Sequence, residues 1–183
     1  MICVKFKAFG VEYKIEYSFF IVVLIALLCE SKQFLYLILF SSLHELGHIV
    51  TLYAFKGKAE KITLSYYGVG LIHSSRLGFI QELVFLLSGI AVNLFMVLIN
   101  VQPKINLALL LINLLPIYPL DAGRCLKLLC DRIFDFYISY KAYYIVAVIC
   151  LLALLFYAVY AKSLNALFIC LYLFTWIIRG TYD

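Results

Sequence analysis

Six apolar runs, separated by short polar stretches, constrain this chain more than any other feature. They lie at about Tyr17–Cys29, Gln33–Phe55, Leu83–Val101, Ile105–Leu120, Ala142–Ala161 and Ser163–Ile178. A straight helix needs about 20 apolar residues to cross a bilayer. Inside lipid the backbone must satisfy its own hydrogen bonds, which a helix does within one segment. The chain is 66% hydrophobic and 14% charged, with a mean hydropathy of +1.06. Such a chain has too little polar surface to cover a soluble globule, and too much apolar surface to stay disordered. The expected fold is an all-α membrane protein of about six transmembrane helices, one polytopic domain over residues 1–183. The first, fourth and sixth runs are short; Lys14, Lys32 and Arg179 are placed to snorkel at their ends.

The net charge of +5 does not indicate a nucleic-acid partner, because the basic residues fall in small groups between apolar runs. Their distribution orients the chain. With the N-terminus inside, twelve Lys and Arg lie on inner segments and three, Lys32, Lys104 and Lys162, on outer loops. The positive-inside rule then places both termini in the cytoplasm of a multi-pass protein. The six cysteines form no CxxC pair and read as small membrane-embedded side chains. Two stretches are not expected to span. Lys58–His73 is rich in β-branched and aromatic residues, with Gly68 and Gly70 at turn or bulge positions, and predicts a small hairpin at the membrane surface. Asp121–Lys141 predicts a polar, partly helical cytoplasmic loop.

The sharpest local signal is His44-Glu45-Leu46-Gly47-His48, inside the second run. Histidines four apart on a helix point the same way and can share one zinc ion. Glu45 sits beside that ion without having to ligate it, placed to take a proton from the attacking water and pass it to the leaving amine. An ionisable group at the bilayer centre costs about 2.5–3.5 kcal/mol, so three together call for a compensating partner. Zinc needs a third protein ligand. The candidates are Asp121, His73, Glu82 and Asp131. Asp121 is favoured, because it closes an apolar run broken by Pro116 and Pro119 and reaches the same side of the membrane as His48.

His44-Glu45-x-x-His48 on an early span, with Asn113-Leu-Leu-Pro116-Ile-Tyr-Pro119-Leu-Asp121-Ala-Gly123-Arg124 on a later one, resembles the site-2 protease family of intramembrane zinc metalloproteases. That family pairs H-E-x-x-H with N-x-x-P-x-x-x-x-D-G, its aspartate being the third zinc ligand. Asn113, Pro116 and Asp121 occupy those positions here; Ala122 stands where the family has glycine, and Gly123 follows. Gly89-Ile90-Ala91-Val92-Asn93 resembles the family's G-P-x-x-N, with Ile90 in place of proline. The segment from Ile62 to Gly70 resembles the family's membrane-associated β segment. Within the family the chain is most similar to the stage IV sporulation protein FB type, in a form expected to lack the nucleotide-sensing CBS domain.

The resemblance implies zinc held by His44, His48 and Asp121, and Glu45 as the catalytic base. Asn113 and Asn93 are candidates for holding substrate or donating to an oxyanion; for Asn93, a plain helix–helix hydrogen bond is an equal reading. It also implies regulated proteolysis of a protein with a membrane-associated pro-segment, of the pro-sigma-K type. The implied setting is a bacterial cell membrane or the membrane around a forespore, with membrane inhibitory or regulatory proteins as further partners. One alternative is cleavage of anti-sigma factors or signal-peptide remnants. An alternative of another class is a non-catalytic metal-binding or transport protein. A peptidase needs its substrate extended, and the hairpin from Ile62 to Ile72 offers a strand edge to hold it.

Overall fold

Ahead of the first apolar run the chain alternates: Val4, Phe6 and Ala8 against Lys5 and Lys7, then Val11, Tyr13 and Ile15 against Glu12, Lys14 and Glu16. This period of two makes strands. The computed structural model describes residues 3–8, 10–28, 32–65, 68–73 and 75–179. Strands β1 (Cys3–Ala8) and β2 (Val11–Glu16) pair antiparallel. Gly10, at a φ of 80°, makes the turn a residue with a side chain resists. The basic segment Lys5–Lys14, expected only as a flank of the first span, is thus a hairpin.

It belongs to a larger sheet. Strands β3 (Ala59–Ser65) and β4 (Gly68–His73) form the hairpin anticipated at 58–73. Its Tyr66 and Tyr67, like Cys29 at the end of the first run, lie outside the described residues. The four strands stand in the order β1-β2-β3-β4, with β2 and β3 parallel. Parallel neighbours need a long crossover, supplied here by helices α1 (Tyr17–Leu28) and α2 (Lys32–Ala54). The register puts Phe6 beside Tyr13 and Tyr13 beside Ile62 on one face, and Lys7 beside Glu12 and Glu12 beside Lys61 on the other. The Phe6 and Tyr13 rings stack at 5.0 Å, and the Lys61 ammonium lies 3.7 Å from the Glu12 carboxylate. The anticipated hairpin is therefore half of a four-stranded sheet, and β3 is paired on both sides. Of that hairpin only β4 is a free edge, and it packs against α2.

These elements, with α3 (Phe79–Leu98) and the start of α4 (Pro103–Asn113), make up the first of two compact units, Met1–Leu110 and Leu111–Asp183. The second unit holds the end of α4 and helices α5 (Asp121–Ile133), α6 (Phe136–Tyr160) and α7 (Leu164–Arg179). Among the described residues three helices, α2, α3 and α6, are long and apolar enough to cross a membrane. Helices α1, α4 and α7 have 12, 11 and 16 residues. At 1.5 Å per residue they rise about 18, 16 and 24 Å, against a hydrocarbon core of about 30 Å. Among the described residues, the expectation of six spans thus meets three helices of full crossing length and three shorter ones.

The fourth run departs most from expectation. Its helix ends at Asn113, and residues 114–120 are irregular. Pro116 and Pro119 offer no N–H and bias the residues before them away from helix, and α4 stops short of Leu120. Asp121 does not close a span; it is the first residue of α5. The stretch 121–141, expected as a partly helical loop, is mostly helix: α5 is amphipathic, burying Cys125 and Cys130 while exposing Lys127 and Arg132, and α6 begins at Phe136. Ser139 donates to Asp131 and pins the two helices together.

Candidate metal centre

Helix α2 buries one side chain per turn, Phe40, His44, His48 and Leu52, along the stripe that faces α3. Helix α3 answers with Phe85, Leu86, Gly89, Ile90 and Asn93. The two backbones approach closely because the contact is built on glycines. A Cβ on Gly47 would lie 2.8 Å from Val92 Cγ2 and 3.0 Å from the Ser88 carbonyl oxygen. A Cβ on Gly89 would lie 2.5 Å from His48 Nε2 and 2.6 Å from His44 Nε2. Gly89 therefore opens the space into which both imidazoles point.

The two Nε2 atoms are 3.3 Å apart, and both rings are buried. Two nitrogens bound tetrahedrally to one zinc at about 2.0–2.1 Å would be separated by about 3.3–3.4 Å. The spacing of the two nitrogens thus matches that of two ligands on one zinc ion. His48 is fixed in the tautomer a ligand needs. Its Nδ1–H donates to the Phe85 carbonyl at 2.7 Å, which leaves the lone pair on Nε2. The Ser88 hydroxyl lies 3.2 Å from the same Nδ1 and itself donates to Phe85 O at 2.7 Å. The Asn93 amide nitrogen lies 3.0 Å from His44 Nδ1. One ligand atom from each of His44, Glu45 and His48 lies within 4.8 Å of the others.

The other candidates for the third ligand have different surroundings. His73 Nε2 lies 3.8 Å from the Glu82 carboxylate, and the His73 ring packs edge-on against Phe85 at 4.8 Å. These two residues tie the end of β4 to α3. Asp131 accepts from Ser139 and lies 3.4 Å from Lys127 Nζ. Asp121 belongs to the second unit, where it is buried in the first turn of α5, an end that favours a carboxylate through the helix dipole. The segment before it is held by Tyr143, whose hydroxyl accepts the Tyr118 N–H. A Cβ on Gly123 would overlap the Ile117 carbonyl. Gly123, one place after Ala122, is thus the residue whose missing side chain lets α5 start where it does. Asn113 is the last residue of α4.

Asn93, a candidate for contact with substrate, is fully buried, with its amide against His44. Sequence reasoning missed three contributors. The Phe85 carbonyl is backbone and carries no signal. Ser88 was one hydroxyl in an apolar helix. Gly89 is a motif position in the sequence, but its place against the imidazoles depends on the α2–α3 packing.

A span-length apolar helix with a buried imidazole pair and an adjoining carboxylate defines a class: helical membrane proteins with a site able to hold a metal inside a span. In fold the chain is similar to the Site-2 Protease from Methanocaldococcus jannaschii, with a TM-score of 0.69 and 20% sequence identity over 97% of this chain and 94% of that one. No family model and no curated protein matches the chain.

Proposed function

We propose that this protein is an intramembrane zinc endopeptidase, with zinc held by His44, His48 and Asp121. The observation that carries the reading is the 3.3 Å Nε2–Nε2 separation in a buried pair beside Glu45. Zinc in such a site supplies Lewis acidity, activating a water molecule and polarising a peptide carbonyl. Glu45 takes the proton of the attacking water and delivers it to the leaving amine. Asn113, beside the proline segment that precedes Asp121, is proposed to hold the peptide or donate to the oxyanion. The substrate must arrive extended, since a helix hides its carbonyls in its own hydrogen bonds. Strand β4 is one of the sheet's two edges among the described residues, β1 being the other, and it packs against the helix that carries His44 and His48. It is proposed to pair with the substrate through backbone hydrogen bonds.

The substrate class follows from the sequence resemblance: a membrane-associated precursor of the pro-sigma-K type, cut on the cytoplasmic side by a multi-pass protein with both termini inside. X-ray absorption of the zinc-loaded protein tests the centre. Imidazole and oxygen ligands at about 2.0–2.1 Å support it, whereas sulfur at about 2.3 Å would assign the metal to cysteines and refute it.

A further inference from the structure

The two histidines are held differently. A backbone carbonyl faces Nδ1 of His48, and a carbonyl can only accept, so the His48 tautomer is fixed. A side-chain amide faces Nδ1 of His44, and an amide can donate or accept. In the structure its nitrogen faces the ring at 3.0 Å, while its oxygen is buried with no hydrogen-bond partner among the described residues. A ring that accepts at Nδ1 carries its proton on Nε2. His48 Nε2, which bears a lone pair in its fixed tautomer, lies 3.3 Å away and can accept that proton. This hydrogen-bond pairing of the two rings is self-consistent, and it uses up both nitrogens that a metal would need.

For His44 Nε2 to become a ligand, its proton must leave, and the neutral ring carries it on Nδ1 instead. No net proton is lost in that exchange. Nδ1–H then needs an acceptor, and the amide oxygen and nitrogen of Asn93 fill nearly the same volume. We infer that Asn93 is a positioning residue that sets the tautomer of His44, turning its amide from donor to acceptor when a metal takes Nε2. The inference rests on the metal-centre reading above and adds a role that the H-E-x-x-H spacing does not contain. Removing a partner of this kind from a metal-bound histidine costs about 10- to 100-fold in metal affinity.

The test is zinc affinity by chelator competition on the full chain in detergent, for wild type, Asn93→Leu and Asn93→Asp. Leucine matches the volume and has no acceptor; aspartate is acceptor-only. Asn93→Leu is expected to bind zinc 10- to 100-fold more weakly, with Asn93→Asp restored to near wild type. If Asn93→Leu fails to fold, Asn93→Ala carries the same comparison. A purely structural asparagine would lower the melting temperature of the metal-free protein without separating the variants in zinc affinity, and that result would overturn the inference. So would Asn93→Asp binding as weakly as Asn93→Leu, which would make Asn93 a donor. A wild-type chain that binds no zinc would instead overturn the metal-centre reading, and this inference with it.

Discussion

Replacing Gly89 with alanine adds one methyl group, and the structure places it in the metal centre. The new Cβ would stand 2.5 Å from His48 Nε2 and 2.6 Å from His44 Nε2. Unstrained contacts of this kind are about 3.5 Å, so the overlap is about 1.0 Å on the His48 ring and about 0.9 Å on the His44 ring. Neither ring moves freely: His48 is held at Nδ1 by Phe85 O, and His44 faces the Asn93 amide. Overpacking of this kind costs about 1–3 kcal/mol. Taken out of metal binding at 1.4 kcal/mol per decade, that is about 5- to 150-fold in zinc affinity. Gly47→Ala is the control, because the atoms nearest its Cβ would be Val92 Cγ2 and the Ser88 carbonyl, not an imidazole. Chelator competition, with thermal unfolding of the metal-free protein alongside, separates the effects. Gly89→Ala should lose zinc affinity well beyond its loss of metal-free stability; Gly47→Ala should lose mainly stability. A Gly89→Ala protein that binds zinc like wild type would show that the imidazoles do not converge above Gly89.

Glu45→Gln should keep its zinc, since the two histidines are untouched; metal analysis showing zinc lost with the carboxylate would make Glu45 a ligand. Single prolines at Val69, Gly70, Leu71 and Ile72 remove one N–H each. At alternate positions the lost N–H points away from β3, and these variants should cleave poorly with unchanged zinc content. Uniformly normal cleavage would exclude edge pairing by β4. Gly123→Ala should lower the melting temperature, because its Cβ overlaps the Ile117 carbonyl. An unchanged melting temperature would mean that α5 has room to shift.

The parts of the fold that announce themselves in sequence are those with one dominant force. Long apolar runs give α2, α3 and α6, since burial in lipid leaves no competing choice. The 58–73 hairpin was legible from its β-branched residues. The β1–β2 hairpin was equally legible by period, but its lysines read first as a flank of the following span. The end of α4 turns on Pro116 and Pro119, which could as well have kinked a helix as ended it. At the site, His44, Glu45 and His48 were legible because their spacing alone aligns them. The hydrogen bonds that fix them were not, because Phe85 contributes a carbonyl and Asn93 acts across a helix pair 49 positions away in sequence.

Cleavage tests the central claim most directly. The chain, as wild type and as Glu45→Gln, would be co-expressed with membrane-associated precursors: sigma-factor precursors of the pro-sigma-K type, anti-sigma factors and signal-peptide remnants. Products would be sized by mass spectrometry. The wild type should release a shortened product from a sigma-factor precursor, with none from Glu45→Gln. The same product in the same amount from Glu45→Gln, or no product from any precursor, would contradict a metallopeptidase at His44, Glu45 and His48.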